Sequence, residues 1–158
     1  MTRVCVLAVI AACSGAGKNI ARDGISVREL VKQASPAIVH IETASGHVGT
    51  GFVLDPSGLI ATNLHVVAGS AEIKVRLADG NVYNVNQVVG YDRVHDLALL
   101  RIQPPKALPI LRLGDSDKMT AGDKVIAIGN PLGVLDLTVS DGLLSSVRQL
   151  CGDQVKVA

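Results

Sequence analysis

Aromatic side chains are scarce in this chain. Of its 158 residues only 2% are aromatic, with no tryptophan, one phenylalanine and two tyrosines. The interior must therefore be built from aliphatic side chains, which supply most of the 48% hydrophobic fraction. Many β-branched residues and sixteen glycines favour strands joined by tight turns. The length suits one ordinary domain, although barrel proteins often need about 200 to 250 residues for a single unit.

The chain also lacks an excess of either positive or negative charge. The net charge is +1 and only 18% of the residues are charged. Binding to nucleic acid requires a basic patch or stripe, and an acidic interaction tail requires a block of carboxylates. The sequence has neither feature, so we expect no nucleic-acid partner.

No apolar run is long enough to span a bilayer. Val4–Cys13 is a run of ten residues, which suits the apolar region of an export signal, and residues 1–13 are predicted to be one. Its end, Ile10–Cys13, resembles the lipobox of bacterial lipoproteins, in which the cysteine is lipidated. An ordinary cleaved signal or a buried strand would explain the same run. If Cys5 and Cys13 belong to the signal, only Cys151 remains, which excludes an intrachain disulfide framework in the rest of the chain.

The remaining chain divides into a tether and two strand-rich units. Residues 14–35 are predicted to be a tether and a short helix, because Ser26 and Glu29 have the spacing of a capping box and Pro36 ends the pattern. Residues 36–103 contain enough strands to close a small β-barrel. The prolines at 104 and 105 mark a boundary, since proline cannot donate to a strand ladder. Residues 104–158 are a linker and a second barrel that is incomplete.

Strand patterns dominate after Pro36. Val39 and Ile41 alternate with polar residues, as do the apolar residues of 73–77, which predicts strands with one buried face. Residues Leu97–Ile102 are an apolar run broken only by Arg101, which predicts a strand buried on both faces. Ser145 and Ser146 lie in Leu143–Arg148, which is also predicted to be a strand. Many short strands at close spacing indicate an all-β sandwich or barrel.

His65 follows a well-marked hairpin, formed by Gly49–Leu54, the turn Asp55–Gly58 and Leu59–Ala61. We therefore expect His65 where a strand ends, a position that is rigid and can face a cleft. Asp96 lies 31 residues downstream at the head of another strand. A carboxylate there could fix the histidine tautomer and stabilise its charged form. Spacing alone leaves a simpler alternative open, in which Asp96 caps a turn with Asp92 and Arg93 and His65 is a hydrogen-bonded strand-edge histidine.

Five segments in order resemble the trypsin-like serine proteases of the HtrA or Deg family. These segments are Gly49–Phe52, Thr62–Val67, Asp96–Leu100, Leu113–Asp117 and Ile126–Gly133. The resemblance implies two six-stranded β-barrels with the active site between them, His65 as general base and Asp96 as the carboxylate that orients it. The family cleaves unfolded or damaged proteins in the bacterial cell envelope and in organelles, and the resemblance implies such an enzyme here, acting without a cofactor in the bacterial cell envelope or periplasm. The full-length protein would be a homotrimer, with membrane attachment through a lipidated Cys13 as one alternative.

The chain departs from the family at the nucleophile. The family places its serine in a Gly-Asn-Ser-Gly-Gly sequence, which does not occur in these 158 residues. Ser116 lies in a predicted turn, and Ser145 and Ser146 lie in a segment that precedes the family's nucleophile, so none of them replaces it. We expect a truncated and inactive portion of a serine endopeptidase. The alternative is a non-catalytic, chaperone-like binding module derived from the same fold.

Overall fold

The computed structural model describes residues 9–10, 26–129, 137–150 and 153–157, with side chains described for 26–129 and 137–146. Cys13 and most of the predicted export signal lie outside these ranges, as do the tether up to residue 25, the turn Asn130–Gly133 and Cys151. No helix in the described part of the chain is long and apolar enough to cross a membrane.

The predicted N-terminal helix is present as α1 (Val27–Ala34). The Ser26 hydroxyl accepts a hydrogen bond from the Glu29 backbone N–H at 3.1 Å, which confirms Ser26 as the N-cap. The helix ends at Ala34 and is followed by a 3₁₀ turn, Ser35–Ala37, that contains Pro36. Its apolar side buries Leu30 and Ala34.

Seven antiparallel strands form one sheet in the order β6-β5-β2-β3-β4-β8-β7. Their bounds are β2 (Ile38–Thr43), β3 (Val48–Asp55), β4 (Leu59–Asn63), β5 (Ile73–Arg76), β6 (Val82–Asn84), β7 (Gln87–Asp92) and β8 (Leu97–Arg101).

The two edges of this sheet meet, because β6 and β7 are separated by only two residues. The Val85 backbone N–H donates to the Ile73 carbonyl of β5 at 2.9 Å, and the Asn86 N–H donates to the Arg101 carbonyl of β8 at 2.8 Å. The chain therefore changes partner from β5 to β8 at this point, and the sheet closes on itself. The expected all-β class and the complete first barrel are confirmed, although the sheet has seven strands and not the six that the resemblance implied.

The barrel interior is aliphatic, as the composition requires. Its fully buried side chains include Val39, Ile41, Val53, Ile60, Val75 and Leu100, each at 0 or 1% exposure. The expectation that Leu97–Ile102 is buried on both faces is wrong. Ala98, Leu100 and Ile102 are buried, whereas Leu97 is 48% exposed, because β8 lines a barrel with one face outward.

The second unit is open within the described residues. Strand β9 (Lys124–Gly129) pairs on one side with β10 (Thr138–Leu143) and on the other with β1 (Val9–Ile10). A separate hairpin follows, β11 (Ser146–Leu150) with β12 (Asp153–Val157). The prediction of one continuous strand over Leu143–Arg148 is wrong, because β10 ends at Leu143 and β11 begins only at Ser146. The incomplete second barrel is confirmed, while the limits assigned to each unit and the export role of residues 1–13 stay predictions.

A small apolar cluster joins the two units. Ile38 on the outer face of β2 packs with Leu30 of α1 and with Ile126 and Ile128 of β9, all 5% exposed or less. The N-terminal helix therefore lies over the junction between the closed barrel and β9.

Candidate active site

His65 lies in a short helix at the end of β4. The strand ends at Asn63, and Leu64–Val67 form one helical turn, α2, closed by a 2.8 Å hydrogen bond from the Ala68 N–H to the Leu64 carbonyl. His65 was expected at the end of a strand, and it lies two residues after the end of β4. Val66 and Val67 are 3% and 5% exposed, so α2 is anchored in the barrel core while His65 itself remains 40% exposed.

Gly49 of β3 provides the space for this helix. A Cβ atom at Gly49 would lie 2.6 and 2.7 Å from the two methyl carbons of Val66, which is closer than packed atoms approach. Glycine inside a strand often marks such a close approach. The packing of α2 against β3 therefore depends on the absence of a side chain at position 49. Because His65 lies in α2, its position depends on the same contact.

Asp96 precedes β8 directly and has an unusual backbone. Its φ angle is +54°, and among the described residues it alone combines a positive φ with a side chain. The left-handed conformation costs such residues roughly 1 kcal/mol, although aspartate tolerates it better than most. Local hydrogen bonds must offset this cost.

The structure brings the predicted pair together. The His65 backbone N–H donates to Asp96 Oδ1 at 2.9 Å, and the ring atom His65 Nδ1 is hydrogen-bonded to Asp96 Oδ2. The Asp96 carbonyl accepts two more bonds, from the Leu64 N–H and from Asn63 Nδ2, both at 3.0 Å. Asp96 is therefore held by the three consecutive residues that end β4 and begin α2.

The charge state of Asp96 follows from these contacts. Partial burial raises the pKa of the carboxyl, but the hydrogen bonds from the His65 N–H and ring, together with the electrostatic attraction of the His65 imidazole, outweigh it. The net effect is a pKa below the ordinary value of 3.8, so Asp96 is ionised at neutral pH. An ionised carboxylate only accepts hydrogen bonds, so the proton lies on His65 Nδ1. Nε2 is then the nitrogen that can take up a proton from another group.

The alternative interpretation had Asp96 capping the turn before β8. In the structure Asp92 is the residue that caps this turn. Asp92 Oδ1 accepts from the N–H groups of Val94 at 2.8 Å and His95 at 3.1 Å. Asp92 Oδ2 lies 2.7 Å from His95 Nδ1, and this ring hydrogen bond, followed by the His95 N–H, lowers the Asp92 pKa. The loop thus contains a second histidine and aspartate pair next to the first.

The other residues singled out in the sequence have ordinary positions. Ser116 begins a 3₁₀ turn, Ser116–Lys118, Ser145 lies between β10 and β11, and Ser146 begins β11. Cys13 lies outside the described residues. Within the described ranges, no group of three or more His, Cys, Asp or Glu side chains is arranged to hold a metal ion.

Two residues at the site, Asn63 and Gly49, lie in the segments named for the resemblance but were given no role of their own. A glycine inside a predicted strand was a usable signal for the second. Asn63 gave a misleading one, because asparagine before a helix predicts a side chain that caps that helix. In the structure Asn63 makes no such cap and bonds to Asp96 instead.

Comparison with known proteins agrees with this geometry. Residues 49–157, more than half of the chain, match the family described as trypsin-like peptidase domain. A DegP-like periplasmic serine endoprotease of Rickettsia conorii is 46% identical over 99 residues, which is 63% of this chain and 19% of that protein.

Relatives from organelles are also similar. The mitochondrial serine protease HTRA2 of Bos taurus is 37% identical over 137 residues, covering 80% of this chain and 30% of the relative. The chloroplast Protease Do-like 1 of Arabidopsis thaliana is 36% identical over 148 residues, covering 84% and 33%. The chain spans one third or less of the length of each of these three proteins. It belongs to the trypsin-like peptidase family, and within that family its similarity is to the HtrA and DegP-like serine proteases.

Proposed function

We propose that these residues are part of a serine endopeptidase of HtrA type, in which His65 is the general base and Asp96 the carboxylate that orients it. The observation that carries this proposal is the two-point attachment of His65 to Asp96 through its backbone N–H and its ring nitrogen. This attachment fixes both the position of the imidazole and the nitrogen that carries the proton.

Each group has a defined task in peptide hydrolysis. His65 Nε2 takes the proton from a serine hydroxyl as that oxygen attacks the scissile carbonyl, and the same nitrogen then returns the proton to the leaving amine. Asp96 stays ionised and stabilises the imidazolium that forms between these steps. The scheme uses only side chains, backbone donors and water.

The nucleophile is the part that these 158 residues do not supply. They contain no Gly-Asn-Ser-Gly-Gly sequence, so we expect the chain alone to hydrolyse no peptide bond. The reading frame after Ala158 is a direct check. A Gly-Asn-Ser-Gly-Gly sequence in frame supports the protease, and a stop codon favours the non-catalytic binding module. Retention of the His65 and Asp96 pair argues for the protease, because a binding module has no chemical use for it.

The substrates are proposed to be unfolded or damaged proteins, and the place of action the bacterial periplasm. The similarity to a protein described as a periplasmic DegP-like serine endoprotease supports protein substrates and the place of action, and the restriction to unfolded or damaged proteins is part of the proposal. We further propose that residues 1–13 direct export, that a lipidated Cys13 attaches the protein to the membrane, and that the full-length protein is a homotrimer. Palmitate labelling that depends on Cys13 tests the attachment, and loss of the label in Cys13→Ser is the expected result.

The activity is tested with the full-length protein, meaning this chain with the residues that follow Ala158 in its reading frame. A reduced and carboxymethylated protein substrate is compared with the same substrate in its native state. We expect cleavage of the unfolded form only, loss of cleavage in His65→Ala, and retention in His95→Ala. Equal cleavage of both substrate forms would contradict the proposed substrate class, and cleavage by His65→Ala would contradict the role of the base.

A further inference from the structure

We propose that Asn63 is a positioning residue that holds Asp96 in place for His65. Its side-chain amide donates to the Asp96 carbonyl at 3.0 Å and so stabilises the backbone turn that aims the carboxylate at α2. The consequence for catalysis rests on the proposed function above, whereas the structural role of Asn63 can be measured without it.

The position of Asn63 makes this role possible. Asn63 faces Leu97 in the last paired position of the β4 and β8 ladder. One residue before Leu97 the backbone of Asp96 turns into the left-handed region, at φ +54°. Such a conformation persists only where neighbouring groups over-determine it. Asn63 is thus the last residue of the regular ladder and lies directly beside the strained one.

The start of α2 is capped by Asp96 and not by the side chain of Asn63. Asn63 is the N-cap residue of α2, but its side chain makes no capping bond. Two N–H groups at the start of the helix donate to Asp96 instead, Leu64 to the carbonyl at 3.0 Å and His65 to Oδ1 at 2.9 Å. The asparagine amide is then available as a donor to the residue that has replaced it as cap.

The Asp96 carbonyl has two lone pairs, and the Leu64 N–H and Asn63 Nδ2 occupy them both. Removing the amide leaves one of the two bonds to the Asp96 carbonyl. The left-handed turn then becomes less favourable, and the carboxylate loses its fixed alignment with the His65 N–H and ring. Asn63 therefore acts on His65 through Asp96 and without contact to substrate.

The test is nuclear magnetic resonance spectroscopy of the 158-residue chain, comparing Asn63→Ala with the unmodified protein. We expect the pKa of the Asp96 carboxyl to rise toward its ordinary value of 3.8, because the hydrogen bonds from His65 that lower it are weakened. We also expect hydrogen exchange of the His65 amide to become about tenfold faster, as the loss of one ordinary hydrogen bond predicts. Amides in the middle of β4 serve as internal references.

The matched control is Asn81→Ala, which removes a 2.8 Å bond from Asn81 Nδ2 to Asp79 in an exposed turn. This variant should leave the Asp96 pKa and the His65 exchange rate unchanged. If Asn63→Ala does not fold, Asn63→Asp keeps the shape of the side chain but replaces the donating nitrogen by a charged oxygen that repels the Asp96 carbonyl. Faster exchange of the His65 amide is again expected.

Unchanged values in the Asn63 variants, or equal changes in Asn81→Ala, would overturn the inference. Neither readout requires a serine or a cleaved peptide. A negative result here therefore leaves the proposed protease untouched, and a full-length protein that cleaves nothing would leave the role of Asn63 intact.

Discussion

Asp96 accepts hydrogen bonds from two atoms of the same residue, the backbone N–H and the ring Nδ1 of His65. One carboxylate thus caps the helix that carries the histidine and orients the imidazole. The position and the tautomer of His65 therefore both depend on Asp96, and this dependence leads to specific predictions.

Replacing Asp96 by asparagine should abolish most of the proposed activity. The amide can donate to His65 Nδ1, which would place the imidazole proton on Nε2 and block that nitrogen as a base. Loss of the correct tautomer in serine proteases lowers kcat on the order of 10⁴-fold. The measurement is kcat of the full-length Asp96→Asn variant on an unfolded protein substrate. Asp92→Asn is the matched control and should retain activity, and an Asp96→Asn variant as active as the control would refute the assignment.

Asp96 should also make stability depend on pH. Its pKa is lowered in the folded state, so the stabilisation is fully present above the unfolded value of 3.8 and is lost as the pH falls through the folded value. Because the carboxylate is 42% exposed, solvent screening keeps the effect below about 1 kcal/mol.

The measurement is the free energy of unfolding of the unmodified chain and of Asp96→Asn, determined by urea denaturation. The difference between them should be largest near neutral pH and should shrink below pH 3.8. A difference that grows as the pH falls would have the wrong sign and would contradict the ionised carboxylate.

Gly49→Ala should destabilise the chain through a clash with Val66. The added methyl would lie 2.6 Å from a Val66 methyl carbon, so α2 must move outward. Overpacking of this kind costs typically 1–3 kcal/mol, about the range expected here. Gly90→Ala is the control, because a Cβ there meets no atom within 4 Å. In the double variant Gly49→Ala, Val66→Ala the cost should be less than the sum of the single changes, and strict additivity would argue against the contact.

Leu100→Ala should open a cavity in the first barrel. Leu100 is completely buried, and it faces Ile60 across the β4 and β8 ladder. Truncation of such a leucine costs about 2–5 kcal/mol, measured as the free energy of unfolding. Leu113→Ala provides the comparison, since Leu113 is 75% exposed and its loss should be close to neutral. Equal effects of the two changes would show that the barrel interior is not packed as described.

The prediction of one buried face is wrong for β2, where Ile38 and His40 are buried as well as Val39 and Ile41. Strands β2 and β5 themselves could be predicted from the sequence, because their polar and apolar residues alternate. The closure of the barrel at Val85 and Asn86 could not, because it depends on backbone bonds to strands β5 and β8, which lie far apart in the sheet order. Leu97 and Leu99 made β8 look buried on both faces. Residue type alone does not reveal that Leu97 faces outward.

The pairing of His65 with Asp96 was predicted from resemblance and not from spacing. Spacing would have favoured His95 and Asp92, which are three residues apart and form a hydrogen-bonded pair of their own. What distinguishes the first pair is the left-handed backbone of Asp96 and its bonds to three successive residues of the β4 and α2 junction. These features arise from tertiary contacts, and local sequence carries no signal for them.

The central claim, that His65 is the base for a serine nucleophile, is tested most directly by labelling the full-length protein with a fluorophosphonate probe. The probe reacts with a serine only when a base takes up the hydroxyl proton. Two variants are compared, His65→Ala and His95→Ala, since both histidines are partly exposed and bonded to an aspartate. We predict that labelling is lost in His65→Ala and retained in His95→Ala. Labelling of His65→Ala at the rate of the unmodified protein would contradict the account.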